Sequence, residues 1–282
     1  MGPPLQSIGL YTPKDPTFGR YLLPPSHTYE ISHSKLYKDV KISRRRLFIN
    51  SNGLGIGKSQ EIELKERELK ENTHKNWVTF QTFEKINRLP KDVKADLLLI
   101  HGYGDYGGKW VANAYKFIER GFRVIAVDLP GHGRSSGLHV LVPSCNYLIQ
   151  SVASVVKDVY PPNKKLFVMG HSLGGYVAIS YALRYSPNIK NDEFNPSQRP
   201  KLSGVYALSP MLGISPETRP PWIVETVARA LASLIGHIPL IKSDGTLKTD
   251  DKRIIEESLK DIRVYQGALR IGTGLALLSG EY

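Results

Sequence analysis

Cysteine is almost absent from this chain of 282 residues. Cys145 stands alone, which excludes an intramolecular disulfide and any cysteine-built metal site and fits a reducing compartment. Long apolar runs are missing too, since none approaches the ~18 residues that cross a bilayer. The opening MGPPLQSIGLYTPKDP is too polar and too rich in proline for a secretory signal. Gln6 stands where a myristoylation site following Met-Gly needs Ser or Thr. These absences predict a cytoplasmic or peripheral-membrane protein.

What is there is ordinary in bulk, at 41% hydrophobic and 23% charged residues, and unbalanced in charge, at +12. Residues 1–60 carry nine Lys and Arg against three acids, half of the total excess, with Arg44, Arg45 and Arg46 in a row. Six of the 19 prolines fall in the first 25 positions. The segment is therefore predicted to be a basic, poorly ordered extension outside the fold, with an anionic membrane surface as its candidate partner. Its aromatics form no stacking set, so no nucleic-acid partner is expected. NGLGIGKS (52–59) resembles a phosphate loop but has Asn52 in place of the first glycine, and is read as a glycine-rich turn.

From residue 76 the pattern changes. NWVTFQTFEK (76–85) alternates as a half-buried strand does. Short continuous apolar runs follow: ADLLLIHG (95–102), FRVIAVDLP (122–130), KLFVMGHS (165–172) and LSGVYALSP (202–210). Helix-length segments, 109–121 and 146–160 among them, separate these runs. This is the pattern of an α/β chain whose mostly parallel sheet is buried on both faces.

The chemistry-bearing motifs all follow strands, where ligands of open parallel sheets bind. GHSLGG places Ser172 in G-x-S-x-G between an apolar strand and the helix GYVAISYALRYS. Gly170 and Gly174 let that turn close without a Cβ, and Ser172 becomes the candidate nucleophile. The Leu173 N–H at the helix start and the Tyr103 N–H of HGYG (101–104) are the candidate oxyanion donors. His101 and His132 are read as loop-holding residues, and His171 as pointing away from the reaction.

Together HGYGDYGGKW, DLPGHGRSSGLHV and GHSLGGYVA resemble the monoacylglycerol lipase-like branch of the α/β-hydrolases. The likeness continues through SPMLGISPETRPPW (209–222) and GALRIGTGLALL (267–278). It implies a helical cap at about 211–262 inserted in a domain covering 61–282. It further implies ester hydrolysis through an acyl-enzyme on single-chain lipids, with no cofactor or metal. Lysophospholipase or small-ester esterase activity on the same fold is the alternative, as is a non-catalytic acyl-lipid-binding protein. The cap helix PPWIVETVARALASLIG (220–236) brings Trp222, Ile223, Val227, Leu231, Leu234 and Ile235 near one face. It is either a core-facing helix or a lid that takes an acyl chain and touches a membrane or lipid droplet.

A serine needs a base, and in this fold the acid and then the histidine follow the nucleophile. After Ser172 stands one histidine, His237, inside the cap segment. Asp250 and Asp251 lie in a polar cap stretch, and Ser209 occupies the end of the fourth parallel strand. The resemblance thus implies that the last strand–helix units, with the base and acid they carry, are lacking. Ser172 is expected to have no base here, and the fourth parallel strand to be left as an apolar edge.

Overall fold

The computed structural model describes residues 14–24, 38–160, 164–185, 201–241 and 251–280. Seven strands form the main sheet: β1 (Val40–Ile49), β2 (Gly55–Glu61), β3 (Asn76–Lys85), β4 (Ala95–Ile100), β5 (Phe122–Asp128), β6 (Lys165–His171) and β7 (Lys201–Leu208). Their order is β2-β1-β3-β5-β4-β6-β7. The pairs β5–β4, β4–β6 and β6–β7 are parallel, and the three on the β2 side are antiparallel. A short helix α1 (Glu66–Lys70) precedes β3; α2 (Val111–Glu119), α3 (Cys145–Val159) and α4 (Leu173–Tyr185) link the parallel strands.

All six residues of β4 are buried, because its two faces supply two cores. Leu98 and Ile100 pack with Val152 of α3 and Val177 and Tyr181 of α4. Leu97 and Leu99 pack on the opposite face with Ala114 and Ile118 of α2. Continuous hydrophobicity in this strand is thus the mark of a sheet covered twice. The helix α3 begins where Ser144 Oγ accepts the Tyr147 N–H at 3.1 Å, satisfying a donor that has no partner within the helix.

The expectation that residues 1–60 lie outside the fold is corrected for residues 14–24 and 38–60; residues 1–13 and 25–37 of that segment lie outside the described residues. β1 pairs along its whole length with β3, and β2 pairs with β1. NGLGIGKS holds the end of the β1–β2 turn and the first five residues of β2, with Gly53 at φ +86°. Two of the three arginines are structural: Arg45 bonds the Ser59 side chain and carbonyl, and Arg46 is buried over the rings of Phe48 and Trp77. Residues 14–24 form a strap whose Tyr21 is fully buried against Trp77. That cover also explains why β3 is buried on both faces from Trp77 to Gln81, where its alternation predicted one. Charge and proline content concealed this because an arginine can satisfy carbonyls and cover rings inside a protein as well as face water.

The cap region contains α5 (Trp222–Ala230), α6 (Ala232–Ile235), β8 (Pro239–Ile241) and α7 (Lys252–Lys260). The chain returns through β9 (Leu269–Arg270), which pairs with β8, into α8 (Ile271–Ser279). The single helix expected over 220–236 is broken at Leu231, and neither piece contains a buried residue. The core-facing alternative therefore fails, and Trp222 is 75% exposed. β7 is the sheet's edge, with Val205, Tyr206 and Leu208 exposed.

Candidate active site

The turn from β6 into α4 puts Ser172 at φ +53°, a left-handed conformation that a residue with a Cβ adopts at a cost. The surroundings hold it there. Ser172 N–H donates to the Leu208 carbonyl of β7 at 3.0 Å, and its own carbonyl accepts from Tyr176 and Met211 at 3.1 Å each. A Cβ at Gly170 would run into the Gly174 carbonyl, and one at Gly174 into the carbonyls of Ile100 and His101. Both glycines are thus required by close backbone approach, as the pattern predicts.

The HGYG loop lies beside this turn. A Cβ on Gly102 would come within 3.3 Å of the Ser172 Cβ. Among the described residues, neither the Tyr103 nor the Leu173 backbone N–H donates a hydrogen bond. Two free donors next to a strained serine form an arrangement suited to an oxygen that gains negative charge.

His101 is fully buried, accepts the Leu129 N–H at Nε2 (2.9 Å) and donates from Nδ1 to the Gly102 carbonyl (2.7 Å). Burial lowers its pKa to about 4. His132, its ring 5.2 Å away, bonds the Pro130 carbonyl through Nδ1 and is also lowered by burial. Both are neutral fixtures of their loops. His171 packs on Trp110 at 5.8 Å. The carbonyl of His237 accepts from Arg270. Asp251 caps α7 through the Arg253 N–H and pairs with the Arg253 side chain. Asp250 lies outside the described residues. Ser209 follows β7 at φ +45°. Among the described residues, no imidazole is hydrogen-bonded to the Ser172 hydroxyl.

The loop after β5 is built around Asp128, whose carboxylate accepts from Gly107 N–H (2.8 Å) and Arg134 N–H (2.9 Å). Arg20 of the strap donates to the carbonyls of Gly133, Ser135 and Gly137 at 3.0, 2.8 and 2.8 Å. Arg134 answers with bonds to the carbonyls of Tyr21 and Leu23. The strap and the site loops are therefore one hydrogen-bonded body.

Sequence reasoning missed the residues that lock HGYG to the cap return. Tyr106 Oη donates to Asp261 at 2.6 Å, the Tyr265 N–H donates to the Gly104 carbonyl at 2.8 Å, and the Tyr265 ring meets Tyr103 edge-on at 6.2 Å. Arg263 lies over Tyr106 and reaches the carbonyls of Leu23 and Pro24. No pattern within DIRVYQGALR marks these partners, since each contact joins distant parts of the chain.

With this geometry in place, the comparisons with known proteins are decisive. The family model described as serine aminopeptidase, S33 (Hydrolase_4) matches residues 91–281. The chain belongs to this family. Within the S33 family it resembles monoacylglycerol lipases. It is 27% identical to the monoacylglycerol lipase of Mycolicibacterium smegmatis over 66% of its length and 62% of the relative's. It is 26% identical to the human monoglyceride lipase over 66% of its length and 57% of the relative's. The crystal structure of Paleococcus ferrophilus monoacylglycerol lipase superposes with a TM-score of 0.52 at 26% identity, covering 67% of this chain and 66% of that one. The chain thus spans about three fifths of the length of the curated lipases it matches. Its fold is that of a monoacylglycerol lipase-like α/β-hydrolase, with a mostly parallel sheet flanked by helices.

Proposed function

We propose that this S33-family chain carries the nucleophile of a carboxylic-ester hydrolase acting on single-chain lipids such as monoacylglycerols. The observation that carries the reading is Ser172, held at φ +53° beside two backbone donors that have no partner among the described residues. Its Oγ attacks the ester carbonyl, the N–H groups of Tyr103 and Leu173 hold the carbonyl oxygen as it becomes negative, and the alcohol leaves carrying the proton of the serine hydroxyl, which must pass through a base that the described residues do not supply. Water then releases the fatty acid from the acyl-serine. The names of the relatives support a lipid ester as substrate. The exposed apolar residues of α5, Trp222, Ile223, Val224 and Val227, support contact with a membrane or lipid droplet. His101 and His132 are neutral and bonded through Nδ1 to the carbonyls of Gly102 and Pro130, and no base reaches Ser172 among the described residues, so in this reading residues 1–282 are inactive without an added base.

Labelling by a fluorophosphonate probe, with and without added imidazole, tests this. Residues 1–282 should label no faster than Ser172→Ala in buffer, and imidazole should raise labelling of the wild type only. Ser172-dependent labelling without imidazole would show a resident base. Equal labelling of both proteins in imidazole would remove Ser172 as nucleophile. Under imidazole, faster turnover of a short water-soluble ester than of a monoacylglycerol would sink the lipid assignment.

A further inference from the structure

An oxyanion donor works only when it is held in place, and the two donors beside Ser172 are held differently. The Leu173 N–H belongs to the first turn of α4. Tyr103 stands in a loop with a glycine on either side, Gly102 and Gly104, and Gly104 sits at φ +75°. So permissive a backbone does not fix the direction of an N–H by itself. The loop's own ties, from His101 to the Gly102 carbonyl and from the Gly107 N–H to Asp128, lie on either side of the stretch in question.

What holds that stretch comes from the cap return. The Tyr265 N–H donates to the Gly104 carbonyl at 2.8 Å, one residue beyond the donor. A Cβ on Gly104 would meet the Tyr265 Cβ and carbonyl oxygen at 3.4 Å each, so the two backbones are in close contact. The Tyr265 ring stands edge-on to Tyr103 at 6.2 Å, and its Oη donates to the Ala268 carbonyl at 2.9 Å. Tyr106 Oη donates to Asp261 at 2.6 Å, with both side chains buried. Asp261 accepts in turn from the Arg263 N–H at 3.1 Å. We propose that Tyr265 and Asp261 are positioning residues for the Tyr103 N–H, so that the cap return, and not the HGYG loop alone, completes the oxyanion hole. Both act through the loop rather than on the ester. A displacement of the cap return therefore disables one donor and spares Leu173. The inference rests on the reading of Ser172 as nucleophile and of Tyr103 as donor.

The test is fluorophosphonate labelling of residues 1–282 in imidazole at a series of probe concentrations. Tyr265→Ala should lower the maximal rate by about tenfold and leave the half-saturating concentration unchanged. Tyr265→Phe, which keeps the ring, should label as the wild type does. Asp261→Ala should also label more slowly, and Asp261→Asn, which keeps an oxygen for Tyr106, should recover most of the loss. A lower melting temperature with an unchanged maximal rate in both alanine variants would overturn the proposal, because the ties would then be structural only. So would a loss in Tyr265→Phe as large as in Tyr265→Ala. Hydrogen exchange separates this proposal from the reading beneath it. Exchange across residues 101–106 should quicken in Tyr265→Ala and stay unchanged across 129–137. A wild type that does not label in imidazole would remove Ser172 as nucleophile, and unchanged exchange across 101–106 would by itself overturn the positioning role.

Discussion

The two ends of the sheet treat hydrophobic and charged residues in opposite ways. Toward β2, arginines go inside: Arg20 and Arg46 are buried, and Arg134 joins them in satisfying carbonyls or covering rings. Toward β7, apolar side chains go outside: Tyr206, Leu208, Trp222 and Val227 all face solvent. Residue type therefore does not decide burial here. What decides it is whether a covering element is present, and the strap 14–24 provides one only at the first end. The difference also runs through the site. The loop after β5 is tied to the strap, whereas the serine turn leans on the edge strand β7 through the Leu208 carbonyl and the cap lies in the uncovered part.

The sharpest way to break this contrast is at the serine turn. Gly174→Ala drives a methyl group into the carbonyls of Ile100 and His101, with an expected loss of more than about 4 kcal/mol, read as an insoluble product or a collapsed urea midpoint. Next comes a paired truncation. Leu98→Ala in the doubly covered strand should cost about 2–5 kcal/mol, whereas Val227→Ala on the exposed cap should stay within about 0.5 kcal/mol. Equal losses would show that the cap is covered in solution. Arg20→Gln should cost about 2–3 kcal/mol by stranding three carbonyls, and limited proteolysis should then cut the strap first.

Acid response gives a smaller and signed effect. Burial lowers His101 to about 4 and His139 to about 3, so between pH 6.5 and 4 the unfolded chain binds protons that the native one refuses. Their contribution to stability is full above pH 6.5 and falls as pH drops through this window. Asp105 opposes them: burial raises it to about 6, so the native state gains a proton first as pH falls from 6 toward 4. Asp105→Asn should raise the melting temperature at pH 7.5 and steepen its decline below pH 6. An unchanged slope would mean that Asp105 is solvated. The smallest expected change in stability is at the edge strand. Tyr206→Lys should leave the melting temperature where it is and slow aggregation on heating, because a charge blunts an open edge.

Much of the site was legible in advance because its requirements are local. G-x-S-x-G between an apolar strand and a helix constrains Gly170, Ser172 and Gly174 through a turn only a few residues long, and the structure places them as that constraint demands. The parallel strands were legible for a related reason: burial on both faces writes a continuous apolar run such as ADLLLI. Residues 14–24 and 38–60 were misread because their burial depends on partners far away, Arg20 on the carbonyls of Gly133, Ser135 and Gly137, and β1 on β3. Asp261 and Tyr265 were invisible for the same reason. In the cap, helical spacing of Trp222, Ile223 and Val227 was visible, but spacing alone does not tell a covered face from an open one.

By itself, then, the sequence determined the α/β class, the serine turn and the loops beside it, since short-range sterics and strand burial leave marks within a few residues. Only the tertiary structure decided that β1 and β2 belong to the sheet, that the cap return locks the HGYG loop, and that the cap's apolar face lies open. Each of these depends on which distant surface comes to cover a side chain, and that is settled by packing between elements rather than by the order of residues within one.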